Sequence, residues 1–381
     1  MGDFISIWLV PVAETQIILP ILRGFAAFDI RVEWGDGAAD EYFNTDFGEI
    51  VIDEDRYPSH TYTFPGDKTI RVTRLLPGWS FVGGLGTPSL LKSIIQYGGL
   101  ELANTGSQFL NCTNLESFPQ IGPLLQLPIS CDGMFKGCVK LNTNLNNTLR
   151  TTGVQIMSNM FSGCSRFNGN ISNWDVQLVS DMRSMFFGCT DFDGNLSAWN
   201  VQRVENMSAM FGNCVNFTGD NIFTLGQGNV LTLMNSMFRN TNFNGNISNW
   251  DVRNVTNMSN IFTDCTSFRR DISKWVTTAI TANVRAPTFT TEYIDEVNPK
   301  FSSKYPESWK FTASDEVNSV VNKDIIDTIL PANRKDRYYM DDDLRLRTLF
   351  EQDEAPSASA ITGSGNSSIK YAYNSRINIF F

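Results

Sequence analysis

The sequence predicts an α+β chain: an N-terminal β-sandwich, a solenoid of short coils and an extended C-terminal tail. Three observations carry this. Strand-like stretches and hairpin turns fill the first 85 residues, a unit of about 25 residues recurs through the middle, and a strictly alternating segment closes the chain. The expected boundaries are 1–85 for the sandwich, 86–285 for the solenoid, 286–354 for a capping segment, 355–368 for a linker and 369–381 for a terminal strand.

Composition narrows the function classes. The chain has 381 residues, 30 Lys+Arg against 40 Asp+Glu, and a formal net charge of −10. Phosphate neutralisation needs a basic face, so nucleic acid is not an expected partner. Residues 1–108 carry 7 basic and 14 acidic side chains, residues 109–275 carry 11 of each, and the remainder 12 and 15. The acidity therefore sits mainly at the N-terminal end. With 28 Phe and 42% hydrophobic residues the chain can offset its ordering entropy, which argues against disorder along its full length. No run of about 20 apolar residues is present, so no transmembrane helix is expected. Met1-Gly2-Asp3-Phe4-Ile5-Ser6 has no basic n-region, so no secretion signal is read there. It does match the short Met-Gly-x-x-x-Ser myristoylation pattern.

In the first segment, Ile5–Val10, Ile17–Leu22, Phe28–Trp34 and Ile70–Leu75 read as strands. Trp34-Gly35-Asp36-Gly37 supplies a hairpin turn, and His60-Thr61-Tyr62 with Pro65-Gly66 introduces the last strand. These elements resemble those of a PKD-type β-sandwich. The separation between Gly37 and His60 is long for that pattern, so an inserted acidic loop is expected. A sandwich placed there would cover the open apolar end of a solenoid.

The repeat is anchored by a Phe followed three residues later by a Cys. The anchors are Phe109/Cys112, Phe135/Cys138, Phe161/Cys164, Phe186/Cys189, Phe211/Cys214, Phe238/Thr241 and Phe262/Cys265, with Phe spacings of 26, 26, 25, 25, 27 and 24. In the clearest units Asn-Gly-Asn-Ile-Ser-Asn-Trp-Asp-Val is followed by Val-x-x-Met-x-x-Met-Phe-x-x-Cys. Val179, Met182, Met185, Phe186 and Cys189 would share one face of a short helix, after a short strand holding Ile171, Trp174 and Val176. A unit this small cannot bury its own apolar face, so neighbouring units must stack around a common core. The expected core residues are Phe161, Cys164, Trp174, Phe186, Cys189, Trp199, Phe211, Cys214, Trp250, Phe262 and Cys265. The units resemble the BspA-type repeats of bacterial and mycoplasma surface proteins, which are similar to leucine-rich repeats. The first two units lack the Trp-Asp-Val segment, and the unit at Gly226 to Thr241 departs in turn and Cys. The resemblance implies a leucine-rich-repeat-like solenoid that serves as a non-enzymatic surface or interaction module.

After Trp275 the repeat signal fades. Residues 314–330 read as an amphipathic helix stopped by Pro331, followed by a charged stretch and a Ser/Gly-rich linker. In the final segment Ile369, Tyr371, Tyr373, Ile377, Ile379 and Phe381 fall on one face. That pattern reads as a single strand that binds a partner by adding to a sheet edge, in a neighbouring subunit or in this chain's own sandwich.

Chemistry-bearing residues have bland readings here. Six of seven Cys occupy one repeat position and ten of twelve Met lie in the repeat, so both read as core filling. No Cys-x-x-Cys pair exists and His60 is the single histidine, so no metal or cofactor is expected. His60 reads as a packed strand residue. Asp191-Phe192-Asp193-Gly194-Asn195 imitates the start of a calcium loop, but the sister units lack its carboxylates. The sequons at Asn170, Asn195, Asn246 and Asn257 recur because the repeat recurs. The usual catalytic motifs are absent, so no enzyme is expected, although paired carboxylates on a glycan-active scaffold are an open alternative. The expected function is a structural or scaffold protein bridging neighbouring subunits, as in a minor capsid component of a large DNA virus. The alternative is a cell-surface adhesin or ligand-binding repeat protein. The expected location is accordingly the virion, or otherwise the cytoplasm.

Overall fold

The computed structural model describes residues 2–22, 29–44, 57–272, 274–277 and 279, together with the backbone of four strands between 338 and 379. The chain divides into two compact units, 1–288 and 289–381.

The first unit opens on β1 (Phe4–Val10), β2 (Thr15–Ile18), β3 (Asp29–Glu33), β4 (Glu41–Asn44), β5 (Ser59–Tyr62), β6 (Gly66–Thr73), β7 (Leu75–Trp79), β8 (Leu91–Gln96) and β9 (Gly99–Leu102). Strands β4-β3-β6-β1-β8 form one antiparallel sheet, β2 pairs with β5, and β7 pairs in parallel with β9. Alternation places Phe4, Ser6, Trp8 and Val10 inside, and Trp8 Nε1 donates to Ser6 Oγ at 2.8 Å, which satisfies both buried polar groups. The outer strand β8 comes from beyond residue 85, on the array side of the boundary expected from sequence. Trp79 joins the sheet to the repeat array, lying against Phe4, Trp8 and Phe81 and also against Phe109, the first repeat anchor.

His60 is a clasp in this region. Its ring stacks on Trp34 with centroids 5.2 Å apart, meets Tyr62 edge-on, and its Nε2 lies 2.8 Å from Asp36 Oδ2. Tyr62 Oη in turn donates to the Trp34 carbonyl at 2.8 Å. The Trp-Gly-Asp-Gly turn is thereby tied to β5.

The repeat region corrects the α+β expectation, because no α-helix occurs among the described residues and the chain is mostly β. The segment 182–189, expected as a short helix, is a run of tight turns. Ser184 and Gly188 have φ of +54° and +72°, and the equivalent pairs Asn159/Gly163, Ala209/Asn213 and Asn260/Asp264 are also left-handed. A right-handed helix cannot pass through such residues. Alternate amides face opposite ways. Met185, Phe187 and Cys189 donate back within their own coil, to the carbonyls of Met182, Ser184 and Phe186. Met182, Ser184, Phe186 and Gly188 donate at 2.8–2.9 Å to Asn206, Ser208, Met210 and Gly212 of the next coil. Every other N–H is thus spent on stacking, which an α-helix with its internal bonding would forbid. Parallel bridges run coil to coil through Ser130, Ile156, Asp181, Asn206, Leu233 and Asn257. Short strands β10 (Leu125–Gln126) and β11 (Leu149–Arg150) pair in parallel in the first coils.

The second unit contains β12 (Tyr338–Met340), β13 (Leu346–Thr348), β14 (Ile369–Ala372) and β15 (Arg376–Ile379), in the antiparallel order β12-β13-β15-β14. The tail expectation is corrected here. Instead of one strand reaching for a distant edge, Ile369 lies opposite Ile379 and Tyr371 opposite Ile377 in two strands that pair with each other. Pairing two segments only three residues apart in sequence costs far less entropy than recruiting a remote edge. Tyr373, Phe381, the linker 355–368 and the helix expected at 314–330 lie outside the described residues.

Candidate binding edge of the repeat array

The expected core residues all lie inside. Phe161, Phe186 and Phe211 are fully buried, Phe262 is 1% exposed, and Trp174, Trp199 and Trp250 are 4–5% exposed. From Phe109 to Phe262 the anchor rings form one continuous column, with neighbouring centroids 5.3–5.9 Å apart and planes within 20°. A second column, Phe167, Phe192, Phe217, Phe243 and Phe268, runs beside it at 5.9–6.1 Å spacing. The two touch within each coil, at 4.1 Å between Phe186 and Phe192. Offset stacking of this kind adds to the energy of burial.

The cysteines do more than fill space. Cys138, Cys164, Cys189 and Cys214 each donate S–H to the anchor Phe carbonyl of the preceding coil, at 2.8–3.0 Å. Burial pushes the Cys164 and Cys189 thiols well above their ordinary range, and Cys265 up to about 11, so the proton needed for donation stays in place. All seven cysteines are unbridged and buried. The tryptophans make a similar step, Trp174, Trp199 and Trp275 donating Nε1–H to Leu145, Ile171 and Ile247 one coil back. Trp250 is the exception. Its Nε1 has no acceptor among the described residues, and the ring stacks instead on Phe223 at 5.6 Å. The coil before it reads Gly219-Asp220-Asn221-Ile222-Phe223, one residue longer than its sisters at this point.

With aromatic, thiol and indole groups consumed inside, the outward chemistry falls to the Asn-Gly-Asn turns. Asn142, Asn168 and Asn244 each accept, through Oδ1, the backbone N–H of the residue one coil on, at 2.9–3.0 Å. Asp193 takes the same role toward Thr218, at 2.9 Å. Two residues later, Asn144, Asn170, Asn195 and Asn246 accept the N–H two positions ahead in their own coil, at 3.0–3.2 Å. A backbone N–H only donates, so the amide orientation is forced: Oδ1 faces the backbone and Nδ2 is left over. Asn168, Asn170, Asn195 and Asn246 are exposed, and their Nδ2 groups have no partner among the described residues. The intervening glycine is imposed by packing, since a Cβ at Gly169 would collide with the Thr143 carbonyl and one at Gly245 with that of Gly219.

These turns and columns span the segment that a family comparison picks out. Residues 129–298 match the model of DUF285, described as a Mycoplasma protein of unknown function. The DUF285 match is made in two overlapping stretches, 129–230 and 221–298, and this repeat family is related to BspA-like surface proteins. It takes in the coils with the Asn-Gly-Asn edge and begins after the Phe109 anchor. Comparison with curated proteins and with solved structures gives no match.

The core columns are legible in the residues alone, whereas this edge is not. Asn-Gly reads as turn chemistry and the asparagines as incidental sequons. The available signal is Asn on both sides of a recurring glycine, which a turn alone does not require.

Proposed function

We infer that this chain is a non-enzymatic interaction protein whose repeat array is a rigid platform presented to another macromolecule. One observation carries the reading. The core residues are locked coil to coil, and the residues left outside repeat in register, so equivalent contact groups recur at one-coil intervals, about 4.8 Å in a β ladder. Such a surface suits many weak contacts made together rather than one reactive centre.

In this reading the N-terminal sheet is part of a PKD-like sandwich that closes one end of a leucine-rich-repeat-like solenoid. The edge strands β12 and β14 of the second unit replace the lone terminal strand as the place where a neighbouring chain attaches. Of the two settings expected from sequence, the relation of DUF285 to BspA-like surface proteins favours display on a surface, with neighbouring proteins as partners, over a virus particle. The test is native fractionation of the source material. Saturable retention of the chain in an envelope or particle fraction, displaced by excess free chain, is expected. Elution of all of it as a free chain overturns the reading.

A further inference from the structure

We propose that the Asn-Gly-Asn edge is a binding site for a neutral, hydroxyl-rich glycan laid along the coils. The inference rests on the array being a binding platform and adds the ligand class.

Amide orientation is the first argument. Asn168, Asn170, Asn195 and Asn246 present Nδ2 donors whose direction is set by the bond each Oδ1 makes to backbone. Side chains already held in place lose little freedom on binding. Acceptors are interspersed on the same edge. Asp193 and Asp220 are exposed carboxylates, and Asp193 occupies the same ladder position as Asn168. A row of donors with occasional acceptors matches hydroxyl groups, which both give and take hydrogen bonds. A polyanion would meet the two carboxylates unfavourably.

A polypeptide partner fits less well. Protein interfaces centre on buried aromatic, aliphatic or Arg anchors. None of the large exposed apolar residues lies in 166–173, 191–198, 216–224 or 242–249, which form this edge, and Arg166 is the one arginine among them. The ladder spacing also favours a chain of like units, because the coils at Asn168/Asn170, Asp193/Asn195 and Asn244/Asn246 offer similar pairs of polar groups, interrupted by the coil that carries Thr218 and Asp220.

The test uses the full chain and isothermal titration with cellohexaose, chitohexaose and maltohexaose, with a hyaluronate oligosaccharide and β-casein as the polyanion and polypeptide probes. The variant is Asn168→Asp/Asn170→Asp/Asn195→Asp. It keeps every Oδ acceptor that the fold uses, as Asp193 does naturally, and converts each outward donor to an acceptor. Asn206→Asp is the control, because Asn206 makes the same local bond, to Ser208 N at 2.9 Å, on the bridge column, where the sister coil carries Asp181. The expected result is binding of at least one neutral hexasaccharide, weakened by about tenfold or more in the triple variant and unchanged in the control. If the triple variant does not fold, Asn195→Asp alone should weaken binding in the same direction. Binding of none of the three neutral glycans overturns the proposal, as does binding of only hyaluronate or β-casein, or equal binding by the triple variant. In those cases a chain still retained in a larger assembly would leave the platform reading standing without the glycan.

Discussion

Trp199 and Trp250 hold equivalent places, are 4% and 5% exposed, and differ in the bond made by the indole N–H and in the Phe223 ring stacked on Trp250. Trp199 Nε1 donates to the Ile171 carbonyl at 3.2 Å, whereas Trp250 Nε1 is a buried donor with no acceptor among the described residues. Replacing each by Phe removes the same ring volume, so the cavity contribution largely cancels between the two. Trp199→Phe then loses a hydrogen bond with a net value of about 0.5–1.5 kcal/mol. The Ile171 carbonyl keeps the Trp174 N–H at 3.2 Å, so no second orphan is created. Trp250→Phe removes an unsatisfied donor whose desolvation penalty is about 1–3 kcal/mol. Trp199→Phe should therefore be the more destabilising by about 1.5–4.5 kcal/mol, the sum of the two effects. Native-state hydrogen exchange on the amides of the flanking coils measures this locally, without requiring the whole chain to unfold in one step. Equal losses of protection, or a greater loss for Trp250→Phe, would refute the assignment of Trp250 as an orphan and the register that makes it one.

Gly169→Ala should push the Thr143 carbonyl away and destabilise the adjacent coils by about 1–3 kcal/mol, read as a lowered melting temperature, because the obstacle is backbone and cannot swing aside. Thiol titration should recover close to seven free thiols from the unfolded, unreduced chain and almost none from the native one, where all seven are buried. Recovery of one or fewer after unfolding would mean bridged cysteines. The hydrogen bond from Arg253 holds the Asp251 carboxyl below the usual carboxylate range. A folded value depressed below the unfolded one, about 3.9 for Asp, gives stability that is present above that value and lost as pH falls through the folded one. Asp251→Asn should therefore flatten the stability profile below about pH 4 and leave its shape near neutrality unchanged.

Period and inside-outside pattern were readable from residues alone, and backbone handedness was not. The offsets of Val179, Met182, Met185, Phe186 and Cys189 fit one helix face, but they fit a pair of tight turns equally well. Glycine would have betrayed the left-handed positions. Gly163 and Gly188 do, whereas Ser184 and Ala209 occupy left-handed positions under residue types that give no warning. The tail is ambiguous for a related reason, since alternation has the same period in one long strand and in two that fold back. Strand β8 is not legible in the sequence because Leu91-Lys92-Ser93-Ile94-Ile95-Gln96 alternates poorly, having Leu91, Ser93 and Ile94 buried and Ile95 exposed. The Asn edge needed knowledge of which side of each amide was occupied, and that depends on a backbone N–H about 25 residues away.

Because successive coils meet through the same bonds, a gene segment encoding one full period can be duplicated or lost without creating a new kind of junction. Array length is then free to drift in steps of one coil, like a ruler cut at its marks, while the sheet at the start stays the same. Changes of any other size carry a penalty, and the chain already bears one. The 27-residue step between Phe211 and Phe238 is the longest in the array, and the coil after it holds Trp250, whose indole donor has no acceptor among the described residues.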